Sequence, residues 1–167
     1  MAHYNFHKDL EQSKIAVEVV KQHLQTYYGS NLIDIREAPK EQQIYGDLCA
    51  TIKKYNSTYE LWHEVKFDIK SEETGNLCFE IYNSKGVPTG ILRTLAHEID
   101  YVAVRNGKYV IFRFDAWELR KEIFDPYNWE MSRLVSGGDR SSYKMLLVKE
   151  DVARKWGTVV EIENAQL

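Results

Sequence analysis

Tyr59-Glu-Leu-Trp-His-Glu-Val-Lys-Phe-Asp-Ile-Lys70 is the stretch on which the fold turns. Leu61, His63, Val65, Phe67 and Ile69 occupy one parity, and Trp62, Glu64, Lys66, Asp68 and Lys70 the other. A period of two belongs to an extended strand, whose successive side chains leave on opposite faces. The spacing therefore predicts a strand with one mainly apolar face and one mainly charged face. Upstream, Asp47–Tyr55 alternates in the same manner, and Asn56-Ser57 between the two stretches suits a turn. Downstream, Leu77–Tyr82 reads as a third strand beyond a turn at Glu72–Asn76, followed by a loop at Asn83–Pro88.

Further out, Ile99–Val104 and Lys108–Phe114 flank Arg105-Asn106-Gly107. Asn-Gly tolerates positive φ, so this is a hairpin. Asn31–Arg36 and Tyr143–Val148 are further strand candidates. Helical spacing governs Phe6–Tyr28, where Leu10, Val17, Val20, Leu24 and Tyr27 recur at steps of three and four. Gly29 stands where helices commonly stop. Asp115 suits the N-cap of a helix through Ile123, and Glu150–Trp156 is a short final helix. Pro126–Gly138 reads as irregular or as a short helix. There is no internal repeat and no low-complexity tract. Together these elements predict one α/β domain spanning residues 1–167, its twisted mixed β-sheet flanked by helices.

A chain of 167 residues has room for one core and little more. Aromatic residues make up 13%, which suits a small core that relies on large side chains for buried area. The formal charge of −3 removes any global positive field that would draw in nucleic acid. A local basic rim around an acidic metal site remains compatible with that charge. Cys49 and Cys78 are too few and too far apart for a zinc pattern, and are expected as buried free thiols. Met1–Lys14 is too polar for a signal peptide, and no apolar run is long enough to span a membrane. A cytoplasmic location is expected.

The residues that carry chemistry lie in the opening stretch and just ahead of it. Glu64 and Lys66 share a strand face, and Asp47 approaches the same spot if the two strands pair as a hairpin. Two carboxylates held together repel unless a cation lies between them, and Mg²⁺ takes oxygen ligands while keeping several waters. A cation so placed acidifies water and offsets charge on a phosphate, and a neighbouring lysine orients or stabilises. The competing reading is a wet strand face, since Asp68-Ile69-Lys70 repeats the pattern. Glu80, on the third strand, is a further acid within reach of such a centre. His63 falls on the face opposite Glu64, which favours a packed histidine, whereas His97 lies near Arg93. Lys53, Lys54, Lys70, Lys85 and Arg93 surround the centre in sequence and are candidates for contacts to a DNA backbone. Gly137-Gly138 lacks the strand and helix context of a phosphate cradle.

Gln43-Ile-Tyr-Gly-Asp-Leu48 followed by Glu64-Val-Lys-Phe-Asp68 resembles the core of the PD-(D/E)xK nuclease superfamily. Thr74-Gly-Asn-Leu-Cys-Phe-Glu80 and Gly90-Ile-Leu-Arg-Thr94, running on to Ile99-Asp-Tyr-Val102, are similar to segments of small phage nuclease-like proteins. The resemblance covers residues 6 to 124. It implies a restriction-endonuclease-like core and a metal-dependent endonuclease acting on DNA. It also implies Mg²⁺ or Mn²⁺ held by Asp47, Glu64 and the Val65 carbonyl, with Lys66 assisting the attacking water; Glu80 is a candidate for an additional metal ligand on its position alone. The products implied carry a 5′-phosphate and a 3′-hydroxyl. A glutamate from the first helix often completes such sites. Glu18 is the first choice and Glu11 the reserve, although their lysine neighbours also suit plain helix salt bridges. Gly46 stands where the motif's proline would be. Also implied are a phage role and hence a location in the host cytoplasm, while the small size of the chain invites a homodimer that cuts two strands. The alternatives are a Holliday-junction or flap resolvase, or an inactive relative that binds DNA or protein.

Overall fold

The computed structural model describes residues 6–129, 132–137 and 143–162. The first helix, α1 (Phe6–Tyr28), ends in a single tight turn, and β1 (Leu32–Glu37) follows. A 3-10 segment at Lys40–Tyr45 leads to β2 (Leu48–Lys54) and β3 (Ser57–Asp68). Then come the single turn α2 (Ser71–Thr74), β4 (Asn76–Asn83), a 3-10 turn at Gly90–Leu92, and the hairpin β5 (Glu98–Arg105) and β6 (Lys108–Asp115). The chain closes with α3 (Ala116–Phe124), α4 (Pro126–Trp129), β7 (Ser132–Gly137), β8 (Tyr143–Lys149), α5 (Glu150–Trp156) and β9 (Thr158–Ile162).

Six strands form one sheet in the order β1-β2-β3-β5-β6-β9, and three form a smaller sheet in the order β4-β8-β7. Within the larger sheet β3 and β5 run parallel while the other pairings are antiparallel, so the sheet is mixed. The expected hairpin of β2 and β3 is present, with Leu48 opposite His63 and Lys54 opposite Ser57. Asn106 takes φ 52° in the β5–β6 turn, the conformation for which Asn-Gly was read. Asp115 caps α3 by accepting hydrogen bonds from the Trp117 and Glu118 amides.

Each face of the larger sheet buries its own core. On one face, Ala16, Val19, Val20 and Leu24 of α1 pack on Leu48, Ala50, Ile52, Val65, Val102 and Ile111. On the other, Leu77, Phe79 and Leu146 of the smaller sheet meet Ile99, Tyr101, Phe112 and Phe114, with Leu119 and Val152 from α3 and α5. Full burial of each aliphatic side chain contributes about 1.5–3 kcal/mol. Because β3 lies inside the sheet and both faces are covered, Trp62, His63, Glu64 and Val65 are all buried. At Trp62 and Glu64 the charged parity of β3 is therefore no wet face.

Three expectations shift. β3 stops at Asp68, where Asp68 Oδ1 accepts the Lys70 amide at 2.9 Å and its carbonyl accepts the Ser71 hydroxyl at 2.7 Å. These bonds turn the chain before Ile69 and Lys70 can extend the strand. The stretch from Pro126 contains a strand, β7, as well as a short helix, and β9 follows α5. Both additional strands are short edges stabilised by pairing with a neighbour. Cys49 and Cys78 are both free thiols, Cys49 buried and Cys78 half-buried. Gly138 lies outside the described residues. Among the described residues no helix is long and apolar enough to cross a membrane.

Candidate active site

The site begins with a glycine. Gly46 adopts φ +132°, and a Cβ built on it would stand 2.6 Å from the His63 carbonyl oxygen. Only a residue without a side chain lets β2 start this close to β3. Proline, confined to φ near −65°, cannot take the conformation at all, which accounts for the departure from the motif. The close approach puts the Asp47 amide on the His63 carbonyl at 2.8 Å and Asp47 Oδ2 on the Val65 amide at 2.8 Å. Asp47 is thereby oriented by the backbone of the strand that carries Glu64 and Lys66. Gly46→Ala is expected to destabilise the protein by about 1–3 kcal/mol. An unchanged urea midpoint would show that the close approach is not required.

Lys66 Nζ pairs with Glu64 Oε1 at 2.5 Å. The other oxygen, Glu64 Oε2, accepts the Thr94 hydroxyl at 3.1 Å. Thr94 is buried and is itself anchored, because the Arg120 guanidinium donates to the carbonyls of Thr94 and of Ile91. Gly90 packs its backbone against Glu80, where a Cβ would meet the Glu80 carbonyl oxygen at 2.5 Å. Glu80, Glu64 and Lys66 then line one cleft with Lys40, Glu41, Gln43, Arg93 and Thr94.

The charges of Asp47, Glu64, Lys66 and Glu80 act on one another. Burial, reinforced by the neighbouring Glu64 carboxylate, pushes the Asp47 carboxyl above the usual carboxylate range. Burial works to discharge Lys66, but the carboxylates of Glu64, Asp47 and Glu80 outweigh it and raise its affinity for the proton. Lys66 is thus a cation at neutral pH, suited to stabilising negative charge and unsuited to accepting a proton.

Behind the site, on the α1 face, runs a buried ionic network. His63 Nδ1 and Asp100 Oδ2 are 2.8 Å apart, and Arg113 Nε donates to Asp100 Oδ1 at 2.7 Å. Arg113 also approaches His23 Nε2 at 3.4 Å. Although burial opposes it, bonding to His63 and Arg113 holds the Asp100 carboxyl below its ordinary value. His63 is packed within this network, on the face opposite Glu64, and Asp100 is structural. His97 Nδ1 accepts the Trp62 amide at 3.0 Å, closing the end of the strand.

Glu98, beside this network, offers a pH test. Burial, with Asp100 and Asp115 nearby, raises its carboxyl to about 7. A raised carboxylate holds its proton in the folded state after the unfolded chain has released it, so stability falls as pH rises from about 4.5 through 7. Glu98→Gln is expected to flatten that slope, sparing about 1–2 kcal/mol at pH 8 after allowance for solvent screening. Parallel slopes for variant and wild type in urea titrations would refute this.

The structure separates the remaining expectations. Glu18 lies on α1, which covers the opposite face of the sheet, and its carboxylate contacts Lys21 and Gln22 of its own helix. The helix glutamate is therefore corrected: α1 packs by its apolar stripe on the His63 face, and Glu18 does not join Asp47 and Glu64. Glu11 is an exposed residue of the same helix. Lys53 and Lys54 sit opposite Thr58 and Ser57, at the far end of the β2–β3 hairpin from Asp47. At about 3.3 Å per residue this is a separation of roughly 20–23 Å, which removes them from the cleft. Lys85 is exposed in the loop after β4. Arg93 lines the cleft, and Lys70 lines its continuation. Asp68 and Lys70, the repeated pattern, are tied to the turn after β3, with Asp68 Oδ2 accepting the Tyr101 hydroxyl at 2.6 Å. Thr94 and Lys40 were not foreseen. Thr94 sits inside the quoted segment Gly90–Thr94, yet nothing in its spacing points to Glu64.

Among the described residues no three His, Cys, Asp or Glu side chains group to hold a metal ion. The protein's share of a cation's ligands would therefore be two carboxylates, Asp47 and Glu64, with the Val65 carbonyl. That all-oxygen set suits Mg²⁺, which commonly binds one or two carboxylates and keeps its waters. The mutual repulsion of Asp47 and Glu64 is the feature a cation would relieve.

No protein-family model and no curated protein sequence matches the chain. Among solved structures it is similar to the restriction endonuclease BglI bound to its DNA recognition sequence, at 13% identity and TM-score 0.48, over 86% of this chain and 69% of that one. It is similar also to D212, a nuclease from a fusselovirus, at 13% identity and TM-score 0.46, over 91% of this chain and 88% of that one.

Proposed function

We propose that this chain is a metal-dependent endonuclease that hydrolyses DNA phosphodiester bonds at Asp47, Glu64 and Lys66. The observation that carries the reading is the grouping at the start of β2. The Val65 amide orients Asp47 on the strand that carries Glu64, and the Lys66 ammonium pairs with Glu64. The chain is taken as one domain, a reading supported by the two cores sharing one six-stranded sheet.

In this reading Asp47 and Glu64 would hold Mg²⁺ or Mn²⁺, which when bound acidifies water and offsets charge on the phosphate. Thr94 holds Glu64 through the hydroxyl bond to Oε2. Lys66 leaves Glu64 Oε1 to donate to a phosphate oxygen as charge builds on it. A water oxygen bonds to phosphorus as the P–O3′ bond breaks; the water gives its proton to solvent and O3′ takes one. Arg93 and Lys40 flank the cleft and suit the phosphates on either side of the cut.

Supercoiled plasmid incubated with Mg²⁺ or Mn²⁺ is expected to be nicked, and EDTA is expected to stop the reaction. No nicking with either cation, together with no cation binding by calorimetry, would overturn the reading. Arg93→Ala is expected to weaken DNA binding at every sequence and to lower the salt slope by about 1. Lys53→Ala and Lys54→Ala should leave that slope unchanged, since both lie at the distant hairpin tip.

A further inference from the structure

The cleft at Glu64 does not end at Lys66. Lys66 and Glu80 form a wall shared with a second hollow of about 510 Å³, which runs on past the end of β3. Chemistry changes across that wall. Cys78, Met145 and Leu147, on one face of the β4–β8 ladder, form the floor of the second hollow, whereas the adjoining Phe79 and Tyr101 are almost wholly buried. Cys78 pairs with Leu147 and Glu80 with Met145 in the β4–β8 ladder, so the floor continues directly from Glu80. Cys78 Sγ lies 3.8 Å from Met145 Sδ, which makes the floor soft and polarisable as well as apolar. Lys70, Asn76 and Asp68, the last bonded to the Tyr101 hydroxyl, also line the hollow.

A DNA strand with its phosphate at Lys66 carries, within one nucleotide, a flat group with apolar faces. That group is the base. In an intact duplex it is stacked and paired, and must be extruded before it can enter such a hollow. An apolar peptide would leave Lys66, Glu80 and Lys70 around the slot unused, whereas a nucleotide engages cation and apolar floor together. Resting on the nuclease reading above, we infer that the slot receives one unpaired nucleobase of the strand being cut. The preferred DNA therefore carries an unpaired nucleotide beside the scissile phosphate. Base contacts of this kind amount to about a 5- to 150-fold gain in affinity for a base already free, a gain that unstacking offsets in a paired duplex.

The test is binding of fluorescein-labelled duplexes to the full chain, measured by anisotropy in EDTA so that no strand is cut. A duplex with one mismatched base is expected to bind about 5- to 150-fold more tightly than its fully paired counterpart. Met145→Trp fills the slot and is expected to bring the two Kd values together. Equal Kd values for the wild-type chain would overturn the inference, as would a preference surviving in a natively folded Met145→Trp. A second measurement needs no variant. Cys49 is buried, so slow alkylation reports on Cys78, whose thiol burial pushes up to about 11. Mismatched duplex should protect Cys78 more than paired duplex, and equal protection would again overturn the inference. Plasmid nicking with Mg²⁺ is scored on the same preparation. Nicking without a preference removes the slot and keeps the nuclease; a preference without nicking removes the nuclease and leaves a base-binding slot.

Discussion

Lys66→Ala is expected to slow DNA cleavage by about 10²–10⁴-fold while leaving the fold intact. The side chain is half-buried and meets the rest of the protein chiefly through Glu64 Oε1, so its loss creates no large cavity. What disappears is a fixed cation at the place where the phosphate would acquire charge. The loss should fall on kcat, because the interaction strengthens as the reaction proceeds. Lys66→Arg should recover little of the rate, since a guanidinium cannot take the position of a compact ammonium beside Glu64. The measurement is single-turnover cleavage at saturating protein. A variant that cuts within a few-fold of wild type would mean that Lys66 is not part of the centre.

The second large effect concerns stability. Asp100→Ala is expected to cost about 3–5 kcal/mol, read as a shift in the urea midpoint. Asp100 is fully buried and bonded to both His63 and Arg113. Removing its carboxylate leaves the Arg113 guanidinium beneath α1 without the carboxylate that it bonds, and the penalty is that weakly compensated cation more than the lost bond. His63→Leu should cost less, because Asp100 keeps Arg113 and an apolar group takes the place of a ring whose Nε2 bonds nothing among the described residues. A loss below about 1 kcal/mol for Asp100→Ala would show that water or rearrangement takes over the role of the carboxylate. The network also bears on catalysis at one remove. The His63 carbonyl receives the Asp47 amide, so loosening His63 loosens the start of β2.

The comparison of Glu64-x-Lys66 with Asp68-x-Lys70 shows how far local pattern reaches. Both are acid-x-lysine, and both sit on the same parity of one stretch. Glu64 is buried against Lys66 and Thr94, whereas Asp68 ends the strand and is consumed by the Lys70 amide and the Tyr101 hydroxyl. Periodicity could not separate them, because the difference lies in what stands across from each. Tyr101 comes from β5 and Thr94 from the segment before it, both about thirty residues away.

From the sequence alone came most of the elements. The period of two in Tyr59–Lys70, the spacing of Phe6–Tyr28, Asn106-Gly107 and the Asp115 cap each act through bonds a few residues long, and each is found in the structure, the first as a strand that ends at Asp68. That locality also made the Asp47, Glu64 and Lys66 grouping legible, since a hairpin brings them together across one turn. Only the tertiary structure decided the rest. It placed β3 inside the sheet with both faces covered, so the charged face became a buried centre. It laid α1 on the opposite face, which removed Glu18, and set Lys53 and Lys54 at the far tip. It also brought Thr94, Lys40 and Arg93 to the cleft and joined a sulfur-floored slot to it. Each of these depends on which face of which strand is covered by which distant segment. That choice is made by burial of the whole apolar surface, and no single window of sequence contains it.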